Sequence, residues 1–122
     1  MTQKNKYTLG RDKALKSNKI IDLLFAQGKS VSKFPLRVVY LPIEYEQDSP
    51  FLVGFSVPKR RFKRAVDRNR IKRLMREAFR LQQYDLKPEG KIAMMWLYTG
   101  KEMPDYQMVF QSVKTIIEKM NE

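Results

Sequence analysis

Half of the residues from Lys59 to Arg80 carry a positive charge, which makes this segment the part of the 122-residue chain best suited to bind an anion. Eleven of its 22 residues are Lys or Arg and two are acidic, Asp67 and Glu77, so the segment holds a net charge of +9 out of the chain's +12. The remaining residues are close to balanced in charge. A concentration of charge on one segment is typical of contact with phosphate groups, and it favours nucleic acid as the partner.

Few side chains are candidates for enzymatic chemistry, because the chain contains no His and no Cys. Their absence removes the commonest general base, the thiolate nucleophile and the usual zinc ligands, and it excludes a metal-independent nuclease that uses two histidines. The closest acidic residues, Glu44, Glu46 and Asp48, alternate within a predicted turn, whereas two-metal hydrolysis needs carboxylates that converge from rigid elements. We therefore expect no catalytic residue and no metal site in the protein itself.

A helix from about Ala65 to Gln82 is predicted to carry the positive charges on one side. At 100° per residue, four apolar residues fall on the side that packs against a core: Ile71, Leu74, Met75 and Ala78. The opposite side is polar: Asn69, Lys72, Arg73, Arg76 and Arg80. Arg68 and Arg70 flank the apolar stripe near the helix start, where the helix dipole attracts phosphate. Because like charges at this spacing repel each other, an anionic partner is favoured over a merely solvated face.

The other elements are predicted to hold this helix inside a single domain that spans residues 1–122. Residues 1 to about 10 are polar and are expected to be flexible. A short first helix is predicted from Asn18 to Gln27, with Ser17 as its N-cap and Gly28 in the position of a glycine that ends a helix.

Strands and a last helix complete the predicted pattern. Alternating apolar residues predict one long strand or two short ones between Val31 and Ile43, and a further strand over Phe51–Val57. The segment from Lys91 to Tyr98 is apolar throughout, as in a strand buried on both faces, and helical spacing returns from Tyr106 to Met120 behind Asp105, the predicted N-cap. The element order is αβββαβα or αββαβα, which indicates an α/β (α+β) two-layer sandwich.

The sequence contains neither a signal peptide nor an apolar run of about 18 residues, the length that a membrane-spanning helix needs. We therefore expect a cytoplasmic protein that makes no contact with a membrane. The absence of Cys rules out disulfide bonds, although this alone is weak evidence for a compartment.

The stretch from Gly54 to Phe79, which includes Arg68-Asn69-Arg70, resembles the Arg-Asn-Arg signature of the bacterial ribonuclease P protein subunit family. The resemblance extends to Leu15, to the helix that ends in Phe25 and to the closing strand and helix, so it covers most of the chain. It implies the αβββαβα order with a left-handed crossover from the third strand to the fourth. Spacing does not reveal that hand, because most crossovers are right-handed.

The same resemblance implies a function. Proteins of this family bind a large catalytic RNA, and the complex removes the 5′ leader from precursor tRNA. The chemistry is carried by magnesium held mainly by the RNA subunit, and the protein alone is inactive. The implied partners are the RNA subunit and precursor tRNA, with no obligatory protein partner.

Two binding surfaces follow from the resemblance when it is carried over residue by residue. One faces the RNA subunit: Lys59, Arg60, Arg68, Asn69, Arg70, Lys72, Arg73 and Arg76. The other is a cleft between the first helix and the sheet, which holds the single-stranded leader by base stacking and groove charge: Phe25, Ile21, Arg37, Val39 and Tyr40. The chain departs from the family pattern at three positions, since Ile21 stands where relatives often carry Phe, Val39 where an aromatic is common and Ala14 where Arg is often found.

Two other functions compete with this interpretation. A DNA-binding basic region also contains Arg-Asn-Arg, but it needs a dimerising heptad helix beyond it, and Pro88 ends this helix. A ribosomal or general RNA-binding protein with no role in tRNA processing is the stronger alternative. A processing assay with the RNA subunit separates it from the ribonuclease P function.

Overall fold

A computed structural model of the chain describes Leu9, residues 13–87 and residues 90–122. Three α-helices and four strands follow in this order: α1 (Asn18–Gln27), β1 (Lys29–Lys33), β2 (Leu36–Pro42), β3 (Phe51–Ser56), α2 (Ala65–Gln82), β4 (Ile92–Tyr98) and α3 (Tyr106–Met120). The predicted αβββαβα order is confirmed, as are the predicted bounds of α1 and α2. Apart from Leu9, the expected flexible start lies outside the described residues, and so does Pro88.

The four strands form one mixed sheet in the order β1-β2-β4-β3. A turn at Phe34 and Pro35, joined by a cis peptide bond, separates β1 from β2, so the region that allowed one or two strands contains two. β2 pairs antiparallel with both β1 and β4, whereas β3 pairs parallel with β4. The parallel pair requires the chain to cross over through α2. The left hand of this crossover remains a prediction from the resemblance.

The main core lies between one face of the sheet and the helices α2 and α3. Phe79 of α2 is fully buried, and its ring centroid lies 5.3 Å from that of Phe51 and 5.6 Å from that of Trp96. Side chains of a strand alternate between the two faces. Residues of β2, β3 and β4 that point away from the main core belong to a second, smaller apolar cluster under α1. The sheet and the α2–α3 pair are therefore the two main layers, and α1 covers part of the other face.

The caps predicted for α1 and α3 are confirmed. The hydroxyl of Ser17 accepts a hydrogen bond from the backbone N–H of Ile20 at 3.3 Å, and the carboxylate of Asp105 accepts one from the N–H of Met108 at 2.8 Å. Each bond satisfies a backbone donor that the first turn of a helix leaves open. No helix among the described residues is long and apolar enough to cross a membrane.

Gly28 ends α1 for a different reason from the predicted one. Its backbone is extended, with φ at −71° and ψ at 156°, so it does not supply the left-handed conformation that favours Gly at many helix ends. Space is the constraint instead, because a Cβ atom on Gly28 would collide with the carbonyl of Leu24 and would lie 2.8 Å from Cγ1 of Val39. Gly28 therefore lets the end of α1 approach β2 closely.

Candidate nucleic-acid interface

Helix α2 presents a basic face to solvent because its opposite side is held by the core. Ile71, Met75, Ala78 and Phe79 are buried, so the rotation of the helix is fixed by apolar packing. The polar residues in the middle of the helix then lie outside, and we name this set the basic face: Asn69, Arg70, Lys72, Arg73 and Arg76. Four of the five are exposed and Lys72 is half-buried.

Two ion pairs use the acidic residues at the ends of the helix. Arg64 contacts Asp67 at 2.9 Å, and Arg80 contacts Glu77 at 2.6 Å. These hydrogen bonds hold the pKa of each carboxyl below its ordinary value, so both acids are ionised at neutral pH. Arg80, which was predicted on the polar side, thus has a compensating charge, and the basic face lies along the helix between the two pairs.

Arg68 has a structural task that its place in the signature did not indicate. Its guanidinium donates hydrogen bonds to the carbonyls of Phe62 at 2.8 Å and Lys63 at 2.9 Å. Phe62 is itself buried, with its ring centroid 5.7 Å from that of Tyr98. Arg68 therefore fastens the loop that leads into α2, and the same loop holds Lys59 and Arg60 exposed beside the start of the helix.

Replacing Arg68 with Ala is expected to lower the free energy of unfolding by about 1–3 kcal/mol, since the partly buried carbonyl of Phe62 and the exposed carbonyl of Lys63 lose a charged donor. Arg70→Ala is the matched control, because Arg70 is exposed and its removal is expected to change stability by less than about 0.5 kcal/mol. Urea unfolding of the two variants measures the difference. Equal stability of the two variants would show that Arg68 does not fasten the loop.

A cavity of about 440 Å³ lies at the outer edge of β3, beside the basic face. It forms because Ala14 makes a parallel bridge with Val53, and the N–H of Leu15 donates to the carbonyl of Val53 at 3.0 Å. Arg76 donates to the carbonyl of Leu9 at 3.0 Å and closes one side. We name this space the edge cavity.

Five cations and one amide line the edge cavity, and α2 supplies four of these six residues: Lys13, Lys16, Asn69, Lys72, Arg73 and Arg76. Its other lining residues are apolar: Leu9, Ala14, Leu15, Val53, Gly54 and Phe55. We name β3 and the segment bridged to it, from Ala14 to Leu15, the apolar side of the cavity. Lys13 and Lys16 were not among the predicted site residues. Their positive charges just before the first helix were visible in the sequence, but their approach to α2 depends on the pairing of this segment with β3.

A second concavity, of about 720 Å³, lies on the other side of the basic face at the start of α2. Arg70 contributes to this concavity, and Asn69 and Arg73 line both spaces. Asn69 and Arg73 thus form a ridge between two basic hollows, which is a shape that can follow a phosphate backbone.

The residues predicted for the leader cleft divide between the two faces of the sheet. Val39 is only 5% exposed and belongs to the apolar cluster under α1, with Ile21 half-buried beside it. Phe25 is 54% exposed on the last turn of α1. Arg37 is exposed and lies on the α1 side of β2, two residues before Val39. Tyr40 packs against the core on the opposite face, beside α3.

The acidic residues that the structure describes are dispersed. Among the described residues, no group of three or more His, Cys, Asp or Glu side chains is placed to hold a metal ion. Glu44, Glu46 and Asp48 are all exposed in the loop after β2, as a solvated turn predicts. The described part of the protein therefore offers cations and apolar surface for binding, and its carboxylates do not converge.

The chain is similar in sequence to one family of known proteins. A family model described as Ribonuclease P matches residues 9–121. The ribonuclease P protein component of Porphyromonas gingivalis is 37% identical over 119 residues, which cover 93% of this chain and 87% of that protein. The counterpart from Chlorobaculum tepidum is 38% identical over 86 residues, which cover 68% of this chain and 56% of that protein.

Solved structures share the fold. The Staphylococcus aureus RNase P protein superposes with a TM-score of 0.70 at 21% identity, over 88% of this chain and 94% of that one. The Thermotoga maritima RNase P protein superposes with a TM-score of 0.70 at 22% identity, over 87% of this chain and 96% of that one. The family match along nearly the whole sequence and the relative at 37% identity show that the chain belongs to the ribonuclease P protein family.

Proposed function

We propose that this chain is the protein subunit of a ribonuclease P ribonucleoprotein, and that it binds the RNA subunit through the basic face of α2. The observation that carries the proposal is the rigid presentation of four cations, Arg70, Lys72, Arg73 and Arg76, on a helix whose acids are already paired at its two ends. Uncompensated charges at helical spacing repel one another, and the phosphates of an RNA relieve that repulsion while counterions are released.

The leader of precursor tRNA binds on the α1 side of the sheet in this proposal. Phe25 gives an exposed ring on which a base stacks, and Arg37 gives a positive charge on the same side of β2. Ile21 and Val39 support this surface from beneath, because both belong to the apolar cluster under α1. Tyr40 lies on the other face of the sheet. Its replacement therefore tests whether the leader binds that face instead.

The chemistry of leader removal belongs to the RNA subunit in this proposal, with magnesium held mainly there. Among the described residues, no three carboxylates converge to hold a metal ion, and the chain has no His or Cys to act as base or nucleophile. The protein contributes binding and orientation of the two RNAs. It works in the cytoplasm and needs no second protein.

Purified protein mixed with its RNA subunit is expected to raise the rate of leader removal from precursor tRNA, and the protein alone is expected to cleave nothing. Measuring the 5′ product with RNA alone, protein alone and the mixture tests both statements. A ribosomal or general RNA-binding protein would bind the RNA without raising the rate. Cleavage by the protein alone, after nuclease controls, would refute the assignment of the chemistry to the RNA.

A further inference from the structure

We propose that the edge cavity receives one unstacked nucleotide of the RNA subunit, with the base against the apolar side and a phosphate against the cations. This inference rests on the proposed function and adds a defined contact to it. The volume of about 440 Å³ lies near the small end of the range of roughly 300–1,000 Å³ that ligand pockets span. It suits a single nucleotide and excludes a paired helix.

The positive charge around the edge cavity favours a ligand that carries phosphate. Five Lys and Arg residues line the edge cavity, and none of the described residues in its lining is acidic. Arg76 is fixed by the carbonyl of Leu9, and Lys13 donates to the side-chain carbonyl of Gln83 at 2.7 Å. The carbonyl of Leu9 is a neutral group, so its bond orients Arg76 without cancelling its charge. The ammonium of Lys13 lies beside Gln83, Phe51 and Tyr84, which do not line the cavity, so the phosphate contact is assigned to Lys16, Lys72, Arg73 and Arg76.

The apolar side selects a base in addition to the phosphate. Ala14 and Gly54 keep this side open, and Phe55 adds an aromatic ring that is half-buried. Stacking on an aromatic or apolar wall is open to any base, because every base has a π-face. A site for inorganic phosphate alone would need no such wall.

The position of the edge cavity favours the RNA subunit over the leader as the source of the nucleotide. The edge cavity shares Asn69, Lys72, Arg73 and Arg76 with the basic face. It lies at the β3 edge of the sheet, whereas Arg37 is on β2, which is separated from β3 by β4. An RNA that lies along α2 thus passes the mouth of the cavity, and a nucleotide released from its stack can enter it.

Ala14→Leu is the variant that tests this proposal, because it fills the cavity without changing any charge. It is expected to weaken binding of the RNA subunit by roughly 5- to 150-fold, the loss of one stacked base. The slope of log affinity against log salt is expected to stay unchanged, since no phosphate contact is removed. Ala26→Leu, at an exposed position of α1, is the matched control and is expected to bind like the wild type.

A second measurement uses the wild-type protein, so it tests base binding in the edge cavity even if Ala14→Leu fails to fold. Adenosine 5′-monophosphate is expected to shift the methyl NMR signals of Ala14, Leu15 and Val53, and inorganic phosphate is expected to leave them in place. Equal effects of the two probes would overturn the base site. A shift by the nucleotide together with full RNA affinity of folded Ala14→Leu would assign the cavity to free nucleotides and overturn its occupation by the RNA subunit.

Failure here is distinguishable from failure of the proposed function. If the wild-type protein raises leader removal while the filled variant binds the RNA subunit unchanged, the nucleotide contact is wrong and the ribonuclease P role stands. If the wild-type protein does not raise leader removal, the proposed function itself has failed.

Discussion

Changing Arg70, Lys72 and Arg73 together to Ala is expected to weaken binding of the RNA subunit by roughly 100- to 500-fold at 0.1 M salt. The estimate assumes one phosphate contact for each cation, with a contribution of roughly 0.7 to 0.9 to the slope of log affinity against log salt. The slope is therefore expected to fall by roughly 2 to 3 units. Melting is expected to change little, because Arg70 and Arg73 are exposed and Lys72 is only half-buried.

A matched triple variant separates local contacts from net charge. Lys33, Lys101 and Lys114 are exposed on β1, on the loop before α3 and on α3, and their change to Ala removes the same total charge. This control is expected to keep nearly all of the affinity and the slope. Equal losses of RNA affinity in the two triple variants would mean that the net charge of the protein attracts the RNA. The cations of the basic face would then contribute no more than cations elsewhere.

Phe25→Ala is expected to weaken binding of precursor tRNA to the assembled enzyme by roughly 1–3 kcal/mol, the loss that follows removal of a base-stacking aromatic. Mature tRNA has no leader and is expected to bind as before. Because Phe25 is 54% exposed, its truncation does not carry the cost of about 3–5 kcal/mol that a buried Phe would impose on folding.

The variants Arg37→Ala and Tyr40→Ala test which face of the sheet binds the leader. Arg37 is on the α1 side of β2, and Tyr40 is on the side that faces α3. Loss of precursor affinity in Arg37→Ala, with unchanged binding of the RNA subunit, is the expected result. If Tyr40→Ala alone loses the discrimination between precursor and mature tRNA, the leader lies on the opposite face.

Local patterns predicted the elements of the fold well. The apolar period placed α1 and α2 at their observed bounds, and alternation along β2 put Val38 and Val39 on opposite faces. Strand order could not be predicted from these patterns, because alternation is the same whichever neighbour a strand pairs with. The sequence also did not show that close packing requires Gly at position 28, because the space there is limited by Val39 of β2.

The candidate site was predicted as a set of charges but not as a shape. Helical spacing identified the basic face, yet the bonds from Arg76 to Leu9 and from Lys13 to Gln83 join residues 67 and 70 positions apart. Such contacts follow from tertiary packing and leave no local signal. The edge cavity was missed for the same reason, because its outer wall is the segment that pairs with β3.

Titration of protein into a leader-removal reaction, at a fixed concentration of RNA subunit and precursor tRNA, tests the central claim most directly. The quantity measured is the protein concentration that gives half of the maximal rate increase. The triple variant of Arg70, Lys72 and Arg73 is expected to need roughly 100- to 500-fold more protein than the wild type at 0.1 M salt and to reach the same maximal rate. The triple variant of Lys33, Lys101 and Lys114 is expected to keep nearly the half-maximal concentration of the wild type. An unchanged half-maximal concentration for the basic-face variant would contradict the account.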